Sequence, residues 1–107
     1  MEECIDCTAL LWRWTGSKGG SWHFLTISGA AAEDLSATAL MRRLEGLSRG
    51  FGSLRVTATI GETTWQTSVF PQSGEDGAPE WLLPVKAAVR KAEGLAEGEA
   101  VKVRLRF

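Results

Sequence analysis

The chain has 107 residues, with 12 Lys and Arg against 13 Asp and Glu, and a formal net charge of −1 at pH 7. This length suits one domain (residues 1–107) with a core of its own, and a hydrophobic content of 44% excludes a disordered chain. The near-neutral charge excludes the electrostatic footprint of a general nucleic-acid binder. No apolar run approaches the ~20 residues of a membrane span, and the acidic start is unlike a signal peptide, so we expect a cytoplasmic protein.

The first half of the chain predicts two strands, a helix and a third strand. Thr8–Trp14 and Trp22–Ser28 are apolar runs of strand length on either side of a Gly-rich segment, which predicts a hairpin. Ala30–Leu44 changes to helical spacing, with Leu35, Leu40, Met41 and Leu44 in register. Ser53–Ile60 returns to strict alternation, the pattern of a half-buried strand.

The second half predicts the same order of elements. Gly61 stands at the first central position of a two-residue turn, which fits a type II′ hairpin, and Gly94 fits the end of a helix. In the helix that Gly94 ends, Val85, Ala88, Val89 and Ala92 are expected to face inward. The predicted elements are strands at Thr63–Phe70 and Trp81–Pro84, a helix at Val85–Glu93 and a last strand at Ala100–Phe107.

These two half-units, about residues 7–60 and 63–107, repeat one plan with little residue identity. Three strands and one helix are too small to bury their own apolar faces, so the two units should close on each other. The sequence therefore predicts a mainly β protein: a closed or split six-stranded barrel, capped by two short α-helices. Closure within one chain leads us to expect a monomer.

Three stretches carry a family resemblance: WHFLTIS, GFGSLRVTATIGETTWQTSVFP and EWLLPVKAAVRKAEGLAEGEAVKVRLRF. From about Cys7 onward, the sequence resembles the bacterial family DUF1905, a domain of unknown function. The resemblance implies a single-chain version of a double-split β-barrel and implies no activity or cofactor. The segment LLPVKAAVRKAEGLAEGEAVKVRL also resembles the half-barrel of swapped-hairpin (AbrB/MazE-like) regulators and antitoxins, which dimerise and bind DNA.

Tryptophans suggest a ligand groove. The chain has five tryptophans and no tyrosine, and all five lie on or beside predicted strands that flank the polar loops. Tryptophan supplies a large apolar surface with one polar handle, although most tryptophans of a small barrel belong to its core. We expect a non-enzymatic binding or interaction module for a small ligand or peptide. Its candidate residues, with Arg13 as the polar anchor, are Trp12, Arg13, Trp14, Trp22, His23 and Trp65.

Basic residues near the C-terminus give the alternative of a DNA-binding regulator. Residues 85–107 carry a local charge of +3, which suits contacts to phosphates. Against this alternative, the chain has no asparagine for bidentate adenine readout, and exposed Lys and Arg also keep a barrel soluble. The candidate phosphate contacts are Lys86, Arg90, Lys91, Arg104 and Arg106.

Catalytic and metal-binding patterns are weak. His23 is the single histidine, and no nucleophile elbow or phosphate-binding glycine motif accompanies it. Cys4 and Cys7 lie three apart, so an extended strand would point them to opposite faces, and they cannot complete a zinc site with one histidine. We expect two reduced thiols, no cofactor, no metal and no enzymatic activity.

Overall fold

Six antiparallel strands form a closed barrel in the order β1-β2-β5-β4-β3-β6. The computed structural model describes residues 3–46 and 52–107. Its elements are β1 (Cys4–Thr15), β2 (Ser21–Ile27), α1 (Gly29–Leu44), β3 (Leu54–Ile60), β4 (Thr63–Ser73), β5 (Pro79–Pro84), α2 (Ala87–Glu93) and β6 (Ala100–Arg106). The predicted mainly β class and six-stranded barrel are confirmed. Residues 47–51 of the first half-unit lie outside the described residues.

The two longest strands each change partner in mid-course. β1 pairs with β6 up to Leu10 and with β2 from Leu11 onward. In the same way, β4 pairs with β3 up to Val69 and with β5 from Phe70 onward. Exchanging the two halves of the chain reproduces the strand order of the ring. The barrel therefore has two splits, one beside each long strand, as the family resemblance implies.

Alternation places the barrel core as predicted. In β3, Leu54, Val56, Ala58 and Ile60 are buried, and β6 buries every second residue in the same way. Gly61 adopts a φ of 59°, and no described residue other than glycine has a positive φ, which fits the predicted type II′ turn. Gly94 ends α2 in the left-handed conformation, with a φ of 62°.

The helices differ from the prediction in length and in buried face. α1 has 16 residues and is not short, and it buries Ala32, Leu35 and Ala39. Leu40, Met41 and Leu44 are exposed, because the small alanines form the face that approaches the barrel. α2 has only seven residues and buries Val89, whereas Ala88 and Ala92, which were expected to face inward, are exposed. In the described part of the chain, no helix has both the length and the apolar character to cross a membrane.

Candidate ligand-binding groove

One barrel split forms an open groove. Before Phe70, β4 does not pair with β5, so residues 65–67 of β4 stand apart from the end of β5. The groove, called the split groove below, has a volume of ≈ 390 Å³. It is lined by residues 65–67 of β4, residues 21–23 of β2, residues 84–87 at the entry to α2, and Arg90.

The helices beside the two splits differ in length. α1 follows β2 and packs against β1 and β5, beside the split at β1. α2 takes the equivalent position after β5, packs against β4 and has seven residues where α1 has 16. A helix of two turns is only about 10 Å long, so α2 extends along a short part of β4.

Two tryptophans give the groove its aromatic surface. Trp65 is 8% exposed and belongs to the barrel core, and one side of it borders the groove. Trp22 is 57% exposed and stacks on Phe24, with ring centroids 6.2 Å apart and planes inclined by 12°. Stacking holds the Trp22 ring in place while it faces solvent, which suits contact with a flat apolar group.

Two cations give the groove its positive charge. Lys86 and Arg90 come from the start and the middle of the α2 region, and no carboxylate of the described residues lines the groove. Arg90 donates a hydrogen bond from Nη1 to the carbonyl of Val85 at 2.6 Å, which holds its guanidinium against the helix start. Uncompensated positive charge beside an aromatic surface attracts an anion that also carries an apolar part.

His23 lies close enough to Arg90 and Arg13 for both positive charges to act on it. Its strand partner is Arg13, and its backbone carbonyl accepts a hydrogen bond from Val85. Burial lowers the pKa of His23, and the positive charges of Arg90 and Arg13 lower it further, whereas Glu97 opposes them. The imidazole is therefore neutral at neutral pH, where it both donates and accepts a hydrogen bond.

The structure brings together three of the six predicted ligand residues. Trp22, His23 and Trp65 line the groove, and Arg13 lies opposite His23 without lining it. Trp12 and Trp14 lie on the outer face of the β1–β2 hairpin, the face that also carries Trp22, the strand partner of Trp14, but they do not line the groove. Whether any of the six binds a ligand stays a prediction.

The outer face of the hairpin has its own aromatic contacts. Trp12 donates its indole N–H to the hydroxyl of Thr26 at 2.8 Å and packs on Phe24, with centroids 5.2 Å apart. Trp14 is 49% exposed. These bonds show that Trp12 is held by its own barrel surface rather than turned toward the groove.

The predicted phosphate contacts divide among separate surfaces. Lys86 and Arg90 line the split groove, and Lys91 is exposed on α2. Arg104 donates hydrogen bonds to Asp6 at 2.8 and 3.4 Å, which lowers the pKa of that carboxyl. Arg106 lines a different depression.

Sequence reasoning missed Gln66, Thr67 and Pro84 as lining residues, and it assigned Lys86 and Arg90 to DNA. Phe24 pairs with Pro84, so it is the pairing of β2 with β5 that brings the halves together here. The repeated order of elements in the two half-units could have indicated this pairing, because equivalent strands of two related halves often meet around an approximate two-fold axis.

Metal ligands do not converge, and the thiols are separated. Within residues 3–46 and 52–107, no group of three or more His, Cys, Asp or Glu side chains is placed to hold a metal ion. Cys4 is exposed and Cys7 is half-buried on the opposite face of β1, as the strand geometry predicts. Burial raises the pKa of the Cys7 thiol, and the charge of Asp6 adds to that effect.

Comparison with known proteins gives one family. The family model described as "Domain of unknown function (DUF1905)" matches residues 8–105. A search of curated proteins gave no significant match.

Proposed function

Since the chain belongs to the DUF1905 family, a domain of unknown function, we propose from the geometry of the split groove that it is a non-enzymatic binding module. Its ligand is a small molecule that joins a flat apolar ring to an anionic group. The ring lies against Trp22 and Trp65, and the anion lies between Lys86 and Arg90.

The observation that supports this proposal most strongly is the composition of one lining. Two tryptophans and two cations share a groove of ≈ 390 Å³ that has no carboxylate among its described lining residues. Ligand sites of this size combine apolar walls with a few placed polar groups. Thr67 and His23 add neutral donors to the same lining.

Binding without catalysis fits the groove better than an enzyme. Ser21 and His23 both line it, two residues apart on β2. Among the hydrogen bonds of the described residues, none joins their side chains, so no nucleophile is paired with its base. Burial, and after it the charges of Arg90 and Arg13, also lower the pKa of His23, which disfavours the protonated imidazole that a general acid needs.

DNA binding is less well supported by the geometry. A phosphate-tracking surface needs its cations along one continuous path. Here Lys86 and Arg90 line one depression and Arg106 another, while Arg104 is bonded to Asp6. The barrel also closes within one chain, which removes the need for a dimer, so we propose that the protein acts as a monomer.

Titration calorimetry with naphthalene-2-sulfonate tests the proposal, because this probe carries one aromatic ring system and one anion. We expect saturable binding that weakens about tenfold in each of Lys86→Gln and Arg90→Gln, the loss of one charge-assisted hydrogen bond. Lys91→Gln is the matched control, since Lys91 lies on the same helix outside the groove, and it should bind as the wild type does.

Two results would contradict the proposal. One is the absence of saturable probe binding, or an equal loss in Lys91→Gln, which would assign the effect to net charge. The other is tight duplex DNA binding that falls steeply as salt rises, which would favour the regulator alternative. Circular dichroism of each variant checks that the barrel still folds.

A further inference from the structure

A second depression, of ≈ 260 Å³, lies on the outer surface of β3 and β6. We propose that it binds the phosphate group of a small phosphorylated ligand. Its polar lining comes from five side chains: Arg42, Arg55, Thr57, Gln66 and Arg106. This site shares Gln66 with the split groove, but its three arginines do not line that groove.

Strand register places the polar groups around one centre. Thr57 is paired with Gln66 of β4 on one side and with Arg106 of β6 on the other. Arg55 lies two residues from Thr57 on the same outward face of β3. Side chains opposite each other in a ladder are about 5 Å apart at Cβ, and diagonal neighbours about 7 Å. Arg42 adds a third guanidinium from the last turn of α1.

The depression offers several side-chain donors and no acidic side chain among its described lining, which Val56 and Phe107 complete. The guanidinium groups of Arg42, Arg55 and Arg106 carry several N–H donors and no acceptor atoms. Within the described ranges, no Asp or Glu lines this depression, and no ion pair involves any of the three. Like charges on neighbouring strands destabilise each other, so an anion seated among them removes a repulsion as well as gaining hydrogen bonds.

Arg104 shows what the same strand does where a carboxylate is present. It lies two residues before Arg106 on the same face of β6, and its strand partner on β1 is Asp6. The two form an ion pair at 2.8 Å. The strand partner of Arg106 on β1 is Cys4, which supplies no carboxylate. The two arginines therefore differ in their strand partner on β1, and Arg106 has no carboxylate at that position to bind.

Phosphate matches this set better than a carboxylate does. The planar fork of arginine binds two phosphate oxygens at once, and a phosphate presents oxygens in several directions to several arginines. The hydroxyl of Thr57 and the amide of Gln66 add neutral donors at the centre. The depression is open to solvent, so the esterified part of the ligand extends outward, and the phosphate is the recognised group.

Calorimetry with inorganic phosphate and with phenyl phosphate tests this site, and benzoate serves as the carboxylate comparison. We expect both phosphates to bind more tightly than benzoate. Arg55→Gln and Arg106→Gln should each weaken phosphate binding about tenfold, and the double variant should abolish it. Both residues are exposed, so these changes leave the barrel folded. Arg104→Gln is the matched control and should bind as the wild type does.

Three outcomes would overturn the inference. Equal affinity for phosphate and benzoate would show general charge attraction, and an equal loss in Arg104→Gln would show the same. Binding of duplex DNA through Arg55 and Arg106, without binding of either small phosphate, would assign these arginines to nucleic acid. Lys86→Gln distinguishes the two sites: it should leave phosphate binding intact and weaken only the naphthalene-2-sulfonate complex.

Discussion

The hydroxyl of Thr63 donates a hydrogen bond of 2.6 Å to the carboxylate of Glu93, which joins the start of β4 to the end of α2. This bond fastens the short helix that borders the split groove. A hydrogen bond to a charged acceptor contributes about 1.5–3 kcal/mol where it is shielded from water. Both residues are only half-buried, so the lower part of this range applies.

Thr63→Val removes that hydroxyl and keeps the shape of the side chain. We expect the free energy of unfolding to fall by about 1–2 kcal/mol, measured by urea denaturation. Thr64→Val is the matched control: its hydroxyl bonds to that of Thr59 at 2.9 Å on the exposed outer face. That change should cost less than about 0.5 kcal/mol. Equal losses in the two variants would show that the Glu93 bond has no special weight.

Gly61→Ala should destabilise the barrel more than Gly77→Ala does. Both glycines have a positive φ, 59° and 80°, which costs an alanine about 1 kcal/mol. A Cβ at Gly61 would also displace the carboxylate of Glu93 and so weaken its hydrogen bond with Thr63, whereas a Cβ at Gly77 meets nothing within 4 Å. We therefore expect a loss of about 2 kcal/mol or more at Gly61, measured by thermal or urea unfolding.

The Glu93→Ala background separates these two causes. There the cost of Gly61→Ala should fall to that of Gly77→Ala, because the colliding carboxylate is gone and only the backbone strain remains. An unchanged cost in that background would contradict the contact between Gly61 and Glu93.

His23 should titrate below the ordinary histidine value of 6.5, because burial, Arg90 and Arg13 lower its pKa. It is the single histidine of the chain, so one imidazole proton signal follows it by NMR. Arg90→Gln should raise the pKa by removing one of these positive charges. Naphthalene-2-sulfonate should raise it too, since an anion in the groove favours the imidazolium. A pKa above 6.5 in the free protein would contradict the placement of His23.

The lowered pKa of His23 also makes the unfolding free energy depend on pH, in a direction that can be worked out. The unfolded chain binds a proton at His23 more readily than the folded chain does, so the contribution of His23 is present above about pH 6.5 and is lost as pH falls through its lowered folded pKa. The difference in unfolding free energy between wild type and His23→Gln should therefore shrink on acidification.

Cys4 should react with iodoacetamide faster than Cys7. The thiolate is the nucleophile, Cys4 is exposed, and burial raises the pKa of the half-buried Cys7. Peptide mass spectrometry after brief labelling at mildly alkaline pH measures the ratio, and labelling in urea supplies the control. Equal native rates would contradict the inward placement of Cys7.

Periodicity predicts the strands because one face of each is apolar and the other polar. Ala100–Arg106 alternates in this way, and its buried residues are the ones that the pattern indicates. In Ser21–Ile27 both faces are apolar or aromatic, so alternation could not decide that Leu25 and Ile27 fill the core and leave Trp22 exposed. The assignment of Trp22 and Trp65 to one groove was therefore only partly predictable.

The second feature that could not be predicted from the sequence is which strands pair with each other. The pairing of Phe24 with Pro84 depends on which strand edges meet after the chain has folded, and local spacing does not encode it. For this reason the sequence yielded Lys86 and Arg90 as a charged patch, and only the fold shows that they line the same groove as Trp22.

The most direct measurement of the central claim is an NMR titration of the five indole N–H signals with naphthalene-2-sulfonate, assigned through single Trp→Phe variants. We predict that the Trp22 and Trp65 signals shift together with one saturation curve. Trp81, bonded to Ser36 beneath α1 at 2.9 Å, and Trp12, bonded to Thr26, should stay in place. Trp14 is the strand partner of Trp22 and does not decide between the two faces. A shift at Trp12 with an unmoved Trp65 would contradict the claim, because the ligand would then lie on the outer face of the hairpin alone.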